Sequence, residues 1–291
     1  MAVRVESFAG PESIEAMCKL CVALRERGIG SEHTGDVNWA AYMHAEINPA
    51  RDTALLREGA SLVAWATATK HGLSFAIAHD ARTDAVMDEV LGWYREHCER
   101  NGRRSEPLAT SCFESDFEVR ALLQARGFEP QSEHVLYANE RSLSDPWPVI
   151  SLPEGAVVRS PLGDEELDRR AHLHAAVWHP SKVTPAGYRL TRAAPNYRPE
   201  LDVVAALSDR SFAAYCLGWL EPATRTCELE PVGTHPDHRR KHLASACIVE
   251  ALRRACALGA ERAIVFSTEE GLPFYRTLGF EPFDRVLAMR R

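Results

Sequence analysis

A short element written twice constrains this chain most. Leu122-Leu-Gln-Ala-Arg-Gly127-Phe128-Glu-Pro130 recurs as Phe274-Tyr275-Arg-Thr-Leu-Gly279-Phe280-Glu-Pro282, about half a chain length further on. Each Gly follows a short helical stretch and suits a left-handed helix end. Each copy leads into a strand-like segment, His134–Tyr137 or Arg285–Ala288. Upstream the layouts also match. Strand-like Val3–Glu6 precedes an acidic helix start at Pro11-Glu12, and Ala156–Arg159 precedes Pro161 and Asp164–Glu166. Two further strand-like runs follow in each copy, at 53–56 and 61–67 and again at 201–206 and 212–219, rich in apolar and aromatic residues between turn signals. A strand, a long helix and a further strand complete each copy. One layout repeated means two similar α/β units rather than one large core.

The proline-rich stretch Arg141–Gly155 separates the copies and reads as a linker. The expected units are 1–145, a linker at 146–155, and 156–291, each large enough to be a domain. A formal net charge of -7 argues against a general nucleic-acid or anionic-membrane partner. No apolar run approaches the roughly 20 residues that span a bilayer. Met1–Phe8 lacks the apolar core of a signal peptide, so a cytoplasmic location is expected. Cys216, Cys227, Cys247 and Cys256 sit in apolar patterns and read as reduced, buried small residues. Cys18 and Cys21 form one C-x-x-C without a second pair, and His172 and His174 fall on different helix faces, so no metal site is expected.

The second copy contains the chemistry. Glu228-Leu-Glu-Pro-Val232-Gly-Thr234 is a strand, and His235–Lys241 is a short basic loop. A long helix follows, expected from about Arg239 to Leu258, with Leu243, Cys247, Ile248, Leu252, Ala255 and Cys256 on one stripe. Free N–H groups at a helix start and three successive cations make an anion site that fits a pyrophosphate. In the first copy the corresponding stretch is Ser74–Asp84. With His79 set against His235, Asp84 falls opposite Arg240, and the basic run is missing. Carboxylates at that helix start would repel a phosphate, so no coenzyme is expected there. That copy is expected to give support and one wall of a substrate cleft.

These residues resemble the GNAT N-acetyltransferase superfamily. Its marks are a strand ending V-x-V, then Pro, then [Q/R]-x-x-G-x-[G/A] at a helix start, and a Tyr shortly before Gly-Phe. Here they are Val232-Gly233-Thr234, Pro236, Arg239–Ala244, and Tyr275 before Gly279-Phe280. Residues 156–291 carry the motifs and 1–140 only the layout, so the chain resembles a tandem GNAT arrangement. The resemblance implies two mixed, mostly antiparallel sheets flanked by helices. It implies acetyl-CoA as co-substrate, with pantetheine along Val232, Gly233 and Thr234. The pyrophosphate would lie on Arg239, Arg240, Lys241, His242, Leu243, Ala244 and Ser245. At His242 the family prefers glycine. A helical backbone there would not require it, and the imidazole can add a phosphate contact.

Acyl transfer to an amine needs a base and an acid. Glu228 and Glu230 lie on one face of a strand and are the base candidates, and Tyr275 is the acid implied by the resemblance. Trp178, His179, Tyr197, Tyr215 and Trp219 supply an aromatic acceptor surface. The expected activity is acetyl transfer to a small-molecule amine by a monomer or homodimer. The alternatives are an acyl-CoA sensor without turnover, a longer acyl group, or a protein N-terminus as acceptor.

Overall fold

The computed structural model describes residues 3–43 and 47–291. Their strands form one twelve-stranded, mostly antiparallel sheet. In chain order these are β1 (Arg4–Ser7), β2 (Thr53–Glu58), β3 (Ser61–Ala68), β4 (Leu73–Ile77), β5 (Ala109–Phe113), β6 (Glu129–Ser142), β7 (Val157–Arg159), β8 (Asp202–Ala206), β9 (Phe212–Glu221), β10 (Thr226–Thr234), β11 (Arg262–Ser267) and β12 (Glu281–Arg290). The helices are α1 (Pro11–Glu26), α2 (Thr34–Tyr42), α3 (Pro49–Asp52), α4 (Asp84–Arg100), α5 (Phe117–Gln124), α6 (Gly163–Val177), α7 (Pro185–Leu190), α8 (Leu243–Ala257) and α9 (Leu272–Arg276). None among the described residues is long and apolar enough to cross a membrane.

The strand order is β1-β2-β3-β4-β5-β12-β6-β11-β10-β9-β8-β7. The two Gly-Phe elements therefore trade strands. β12, from the C-terminal half, pairs antiparallel with β5 of the N-terminal half. β6, from the N-terminal half, pairs with β11. β6 and β12 also pair with each other, with Tyr137 opposite Arg285. Gly127 and Gly279, at φ 78° and 81°, take the left-handed turns that launch these strands.

Each half keeps its own apolar core. α4 packs with Leu56, Val63, Phe128 and Leu287 in one, and α8 with Val203, Cys216, Leu229 and Phe280 in the other. Each core thus contains the Phe of its own repeat, while Leu287 crosses from the other half. The joining stretch is packed rather than loose. Trp147, Ile150 and Leu152 lie against the second core, and the Arg141 guanidinium stacks 4.8 Å over Trp147. Cys216, Cys227 and Cys247 are buried as expected, whereas Cys256 is exposed on the outer face of α8.

Each half also contains one fork. β4 and β5 run parallel and meet only at Leu73 and Thr110 before diverging. β10 and β11 run parallel over Thr226–Glu228 and then diverge. Beyond Glu228, β10 keeps its partner β9 on one side, with Val232–Thr234 paired to Cys216–Ala214. Its other edge is left open to the fork.

Candidate active site

The forked strand β10 changes register at its centre. Leu229 pairs with Gly218 and Val232 with Cys216, so Glu230 and Pro231 together oppose one residue, Leu217. Proline has no N–H for the ladder and belongs at such a bulge. The Trp219 indole donates to the Glu230 carbonyl at 2.6 Å and fixes the bulge from below.

Glu228 and Glu230 have different surroundings. Glu228 is fully buried. Its Oε2 accepts the Asp36 N–H at 3.1 Å and lies 3.2 Å from His33 Nδ1. That approach is not an ion pair. Burial, then the charge of Arg25, depresses the His33 pKa to about 3, while burial and the charge of Glu230 raise that of Glu228. A neutral imidazole thus meets a carboxyl that favours its protonated form. Glu230 is only partly buried and opens on two cavities, of about 440 Å³ and 260 Å³. Burial and the nearby charge of Asp36 push its pKa up to about 8.

The N-terminal half reaches into this site. Arg25 pairs with Glu221, the His33 ring nitrogen Nε2 meets Thr226 Oγ1 at 3.0 Å, and the Asp36 N–H holds Glu228. α2 packs directly on β9 and β10. A Cβ at Gly35 would come within 2.7 Å of Trp219 and into the Glu228 carboxylate, so only glycine fits there.

The basic loop before α8 differs from its expected form. α8 begins at Leu243, not Arg239. A 3-10 turn at Pro236–His238 precedes it, and Arg240 and His242 both take left-handed backbone, at φ 59° and 58°. A helical His242 was expected, and the left-handed turn explains the family's glycine instead. Among the described residues, no acceptor meets the N–H groups of Arg240 to Ser245. They form an unsatisfied crown at a helix start, which fits a pyrophosphate. Leu243, Ala244 and Ser245 are themselves buried, so they can serve only through backbone.

In the first half α4 begins at Asp84, which therefore sits opposite Leu243 rather than Arg240. The intervening loop is shorter, and an acidic, capped helix start takes the place of the basic run. Thr83 caps the Val86 N–H, and Arg126 donates to the Asp84 carbonyl and to both Asp84 and Asp88 carboxylates.

His242→Gly is expected to stabilise the fold. Left-handed backbone costs an L-residue about 1–2 kcal/mol, and glycine returns roughly 0.5–1 kcal/mol of that as unfolded-chain entropy. The net gain is about 0.5–1 kcal/mol. Urea unfolding checks it, and an unchanged or lower midpoint would show that no strain resides at this turn.

Tyr275, on α9, packs edge-on to Phe280 at 5.8 Å. Burial, then neighbouring Cys216 and Glu230, hold its phenol above the ordinary value, so it keeps its proton at neutral pH. The aromatic set divides. Trp178 is exposed and lines the smaller cavity with Trp39, His174 and Pro231, and His179 is exposed beside it. Tyr215 is buried behind Trp178, its hydroxyl 2.7 Å from Trp178 Nε1 and 3.1 Å from His174 Nδ1. Tyr197 and Trp219 are core residues in edge-to-face contact. Gly233 has a steric reason to be glycine, since a Cβ would meet the Tyr215 ring at 2.7 Å. Glu32, Asp36 and Trp39 were not singled out from sequence, because they arrive from the other half of the chain, and His174 was weighed only as a metal ligand. No group of three metal-ligating side chains occurs among the described residues.

Residues 169–280 match the acetyltransferase (GNAT) family model. No curated protein matches the chain. Among solved structures, the chain is similar to a GCN5-related N-acetyltransferase from Sphaerobacter thermophilus, at 17% identity and TM-score 0.65, covering 99% of this chain and 95% of that one. It is similar to a tandem GNAT protein from the clavulanic acid biosynthesis pathway, at 14% identity and TM-score 0.66, covering 100% and 98%. It is also similar to Saccharomyces cerevisiae N-myristoyltransferase, at 12% identity and TM-score 0.64, covering 100% and 79%.

Proposed function

We propose that this chain is a tandem GNAT acetyltransferase that moves an acetyl group from acetyl-CoA to the amine of a small molecule, at a centre in its C-terminal half. The carrying observation is one partly open carboxyl, Glu230, at a bulge beside the β10–β11 fork. The acyl-CoA would lie with its pyrophosphate on the free N–H groups of Arg240–Ser245, flanked by Arg239, Lys241 and His242. Its pantetheine would run along the open edge of Val232–Thr234.

Glu230 is the base in this reading, because Glu228 is sealed beneath α2. A carboxylate with a pKa near 8 takes a proton from an ammonium far better than an ordinary one. The neutral nitrogen attacks the thioester carbon, and the carbon–sulfur bond breaks. Tyr275 supplies a proton to the leaving thiolate. Trp178 forms an acceptor wall held by Tyr215, while Tyr197 and Trp219 support the bulge from the core. Residues 1–145 bind no coenzyme and buttress the catalytic strand through Arg25, His33 and Asp36, and 146–155 tie them to the catalytic unit 156–291.

Titration calorimetry with acetyl-CoA tests the first step. Binding in the micromolar range is expected. Arg240→Glu should weaken it by about tenfold or more, given roughly 1.5–3 kcal/mol for a charged hydrogen bond, whereas Asp84→Ala should not. Equal affinities for the two variants would remove the basic turn from the pyrophosphate site.

A further inference from the structure

The fork of the N-terminal half has no phosphate crown, yet it is not filled. The 440 Å³ cavity begins in it, between Ser74–Ile77 on β4 and Ser111–Phe113 on β5. From there it crosses β12, β6 and β11, at Val286, Leu136 and Phe266, and ends at Glu230. It is a continuous passage from the idle fork to the proposed base. Its size falls within the range that holds a small ligand.

The passage has an apolar floor and an acidic wall. Phe266, Val286 and Leu136 form the floor, and Glu32, Asp36 and Glu230 line the wall. Two cations close to that wall are engaged elsewhere. Arg82 holds Asp116 through two hydrogen bonds of 2.6 and 2.8 Å, and Arg25 holds Glu221 and the Glu32 carbonyl. Among the described residues the Glu32 carboxyl accepts only the Ser74 hydroxyl, and the Asp36 carboxyl only the His33 N–H. Among the described residues no ion pair joins Glu32, Asp36 or Glu230 to a cation. Burial holds these three carboxyls in their protonated forms, and a cation entering the cavity would favour their ionisation.

We infer that the idle fork of the N-terminal half holds the acyl acceptor, and that the acceptor is a compact amine with a second cationic group. Its reacting nitrogen lies at Glu230 and its second cation at Glu32 and Asp36, with the connecting carbons on the Phe266–Val286 floor. The first half thus serves as the substrate half of a site whose chemistry belongs to the second. This assignment rests on Glu230 being the reaction centre.

The test is binding of diaminobutane and of butylamine to the full chain, by calorimetry, with and without coenzyme A. Diaminobutane should bind at least about tenfold more tightly, and Glu32→Gln should reduce that preference several-fold, as loss of one charged hydrogen bond implies. Equal affinity for both amines under both conditions would overturn the inference, as would a preference untouched by Glu32→Gln. The same titrations separate the two readings. Diaminobutane binding in a chain that ignores acetyl-CoA keeps the acceptor site and removes the transferase. Acetyl-CoA binding without any preference for the diamine does the reverse.

Discussion

Glu230→Gln is expected to slow acetyl transfer by about a hundred- to ten-thousand-fold, the usual range for losing a positioned base. The loss should fall on kcat, because the amide keeps the shape of the carboxyl and the coenzyme crown is untouched. The wild-type rate should climb with pH and level off above about 8, where Glu230 becomes ionised. That inflection should vanish in the variant. Stability supplies an independent readout. The folded pKa of Glu230 lies above its unfolded value near 4.5, so the native state holds the proton more tightly. The stability it contributes is present below pH 4.5 and is lost as pH rises through 8. The uncharged amide escapes this loss, so Glu230→Gln should melt higher than wild type at pH 9 while being nearly inactive. A variant that is inactive and also melts lower at pH 9 would mark Glu230 as structural. Glu228→Gln should leave the inflection in place, since its carboxyl faces Asp36 and His33 rather than substrate space.

What the sequence could reveal was local. The repeat, the strand–loop–helix motif and the pair of glutamates are all encoded by neighbours in the chain, and local period and turn chemistry suffice to read them. The trade of β6 and β12 was not legible, because each strand has the same alternation whichever half it joins. His242 was misread for a related reason. Its neighbours fit a helix, yet the loop from His235 to Leu243 must turn more sharply than the shorter one before Asp84, and two residues take left-handed backbone to do it. The acidic wall was invisible in principle. Glu32 and Asp36 lie almost 200 positions from Glu230, and only the docking of α2 on β9 and β10 brings them together. The aromatic cluster was visible, but not its division between Trp178 at the surface and Tyr197, Tyr215 and Trp219 inside. Side-chain type gives hydrophobicity, whereas layer depends on register.

Asp202→Asn is expected to cost about 3–5 kcal/mol, the largest stability effect of any single substitution near the site. Asp202 is fully buried at the start of β8 and gathers three partners. Tyr188 donates to Oδ2 at 2.6 Å, Tyr197 to the same oxygen at 3.1 Å, and Arg170 Nε approaches Oδ1 at 3.3 Å. Arg170 is equally buried, and its two terminal nitrogens have no partner among the described residues. Its charge is balanced by Asp202 and by the face of Tyr215, whose centroid lies 3.4 Å from Cζ. Neutralising Asp202 leaves a guanidinium in the core with only the rings of Tyr215 and Tyr188 for company, and a buried charge so stranded is far worse than no charge. For a chain of this length the melting temperature should fall by roughly 10 °C. Adding Arg170→Met should recover much of the loss, because the pair together is worth little more than an apolar substitute. The same double variant tests a functional link. Arg170 lies beneath the Tyr215 ring, and the Tyr215 hydroxyl holds Trp178 at the mouth of the smaller cavity. If that stack positions the acceptor wall, the rescued protein should fold well yet show a raised KM for the amine with little change in affinity for acetyl-CoA. If the double variant melts as low as Asp202→Asn alone, the stranded charge is not the cause of the instability, and the hydrogen bonds of Tyr188 and Tyr197 are.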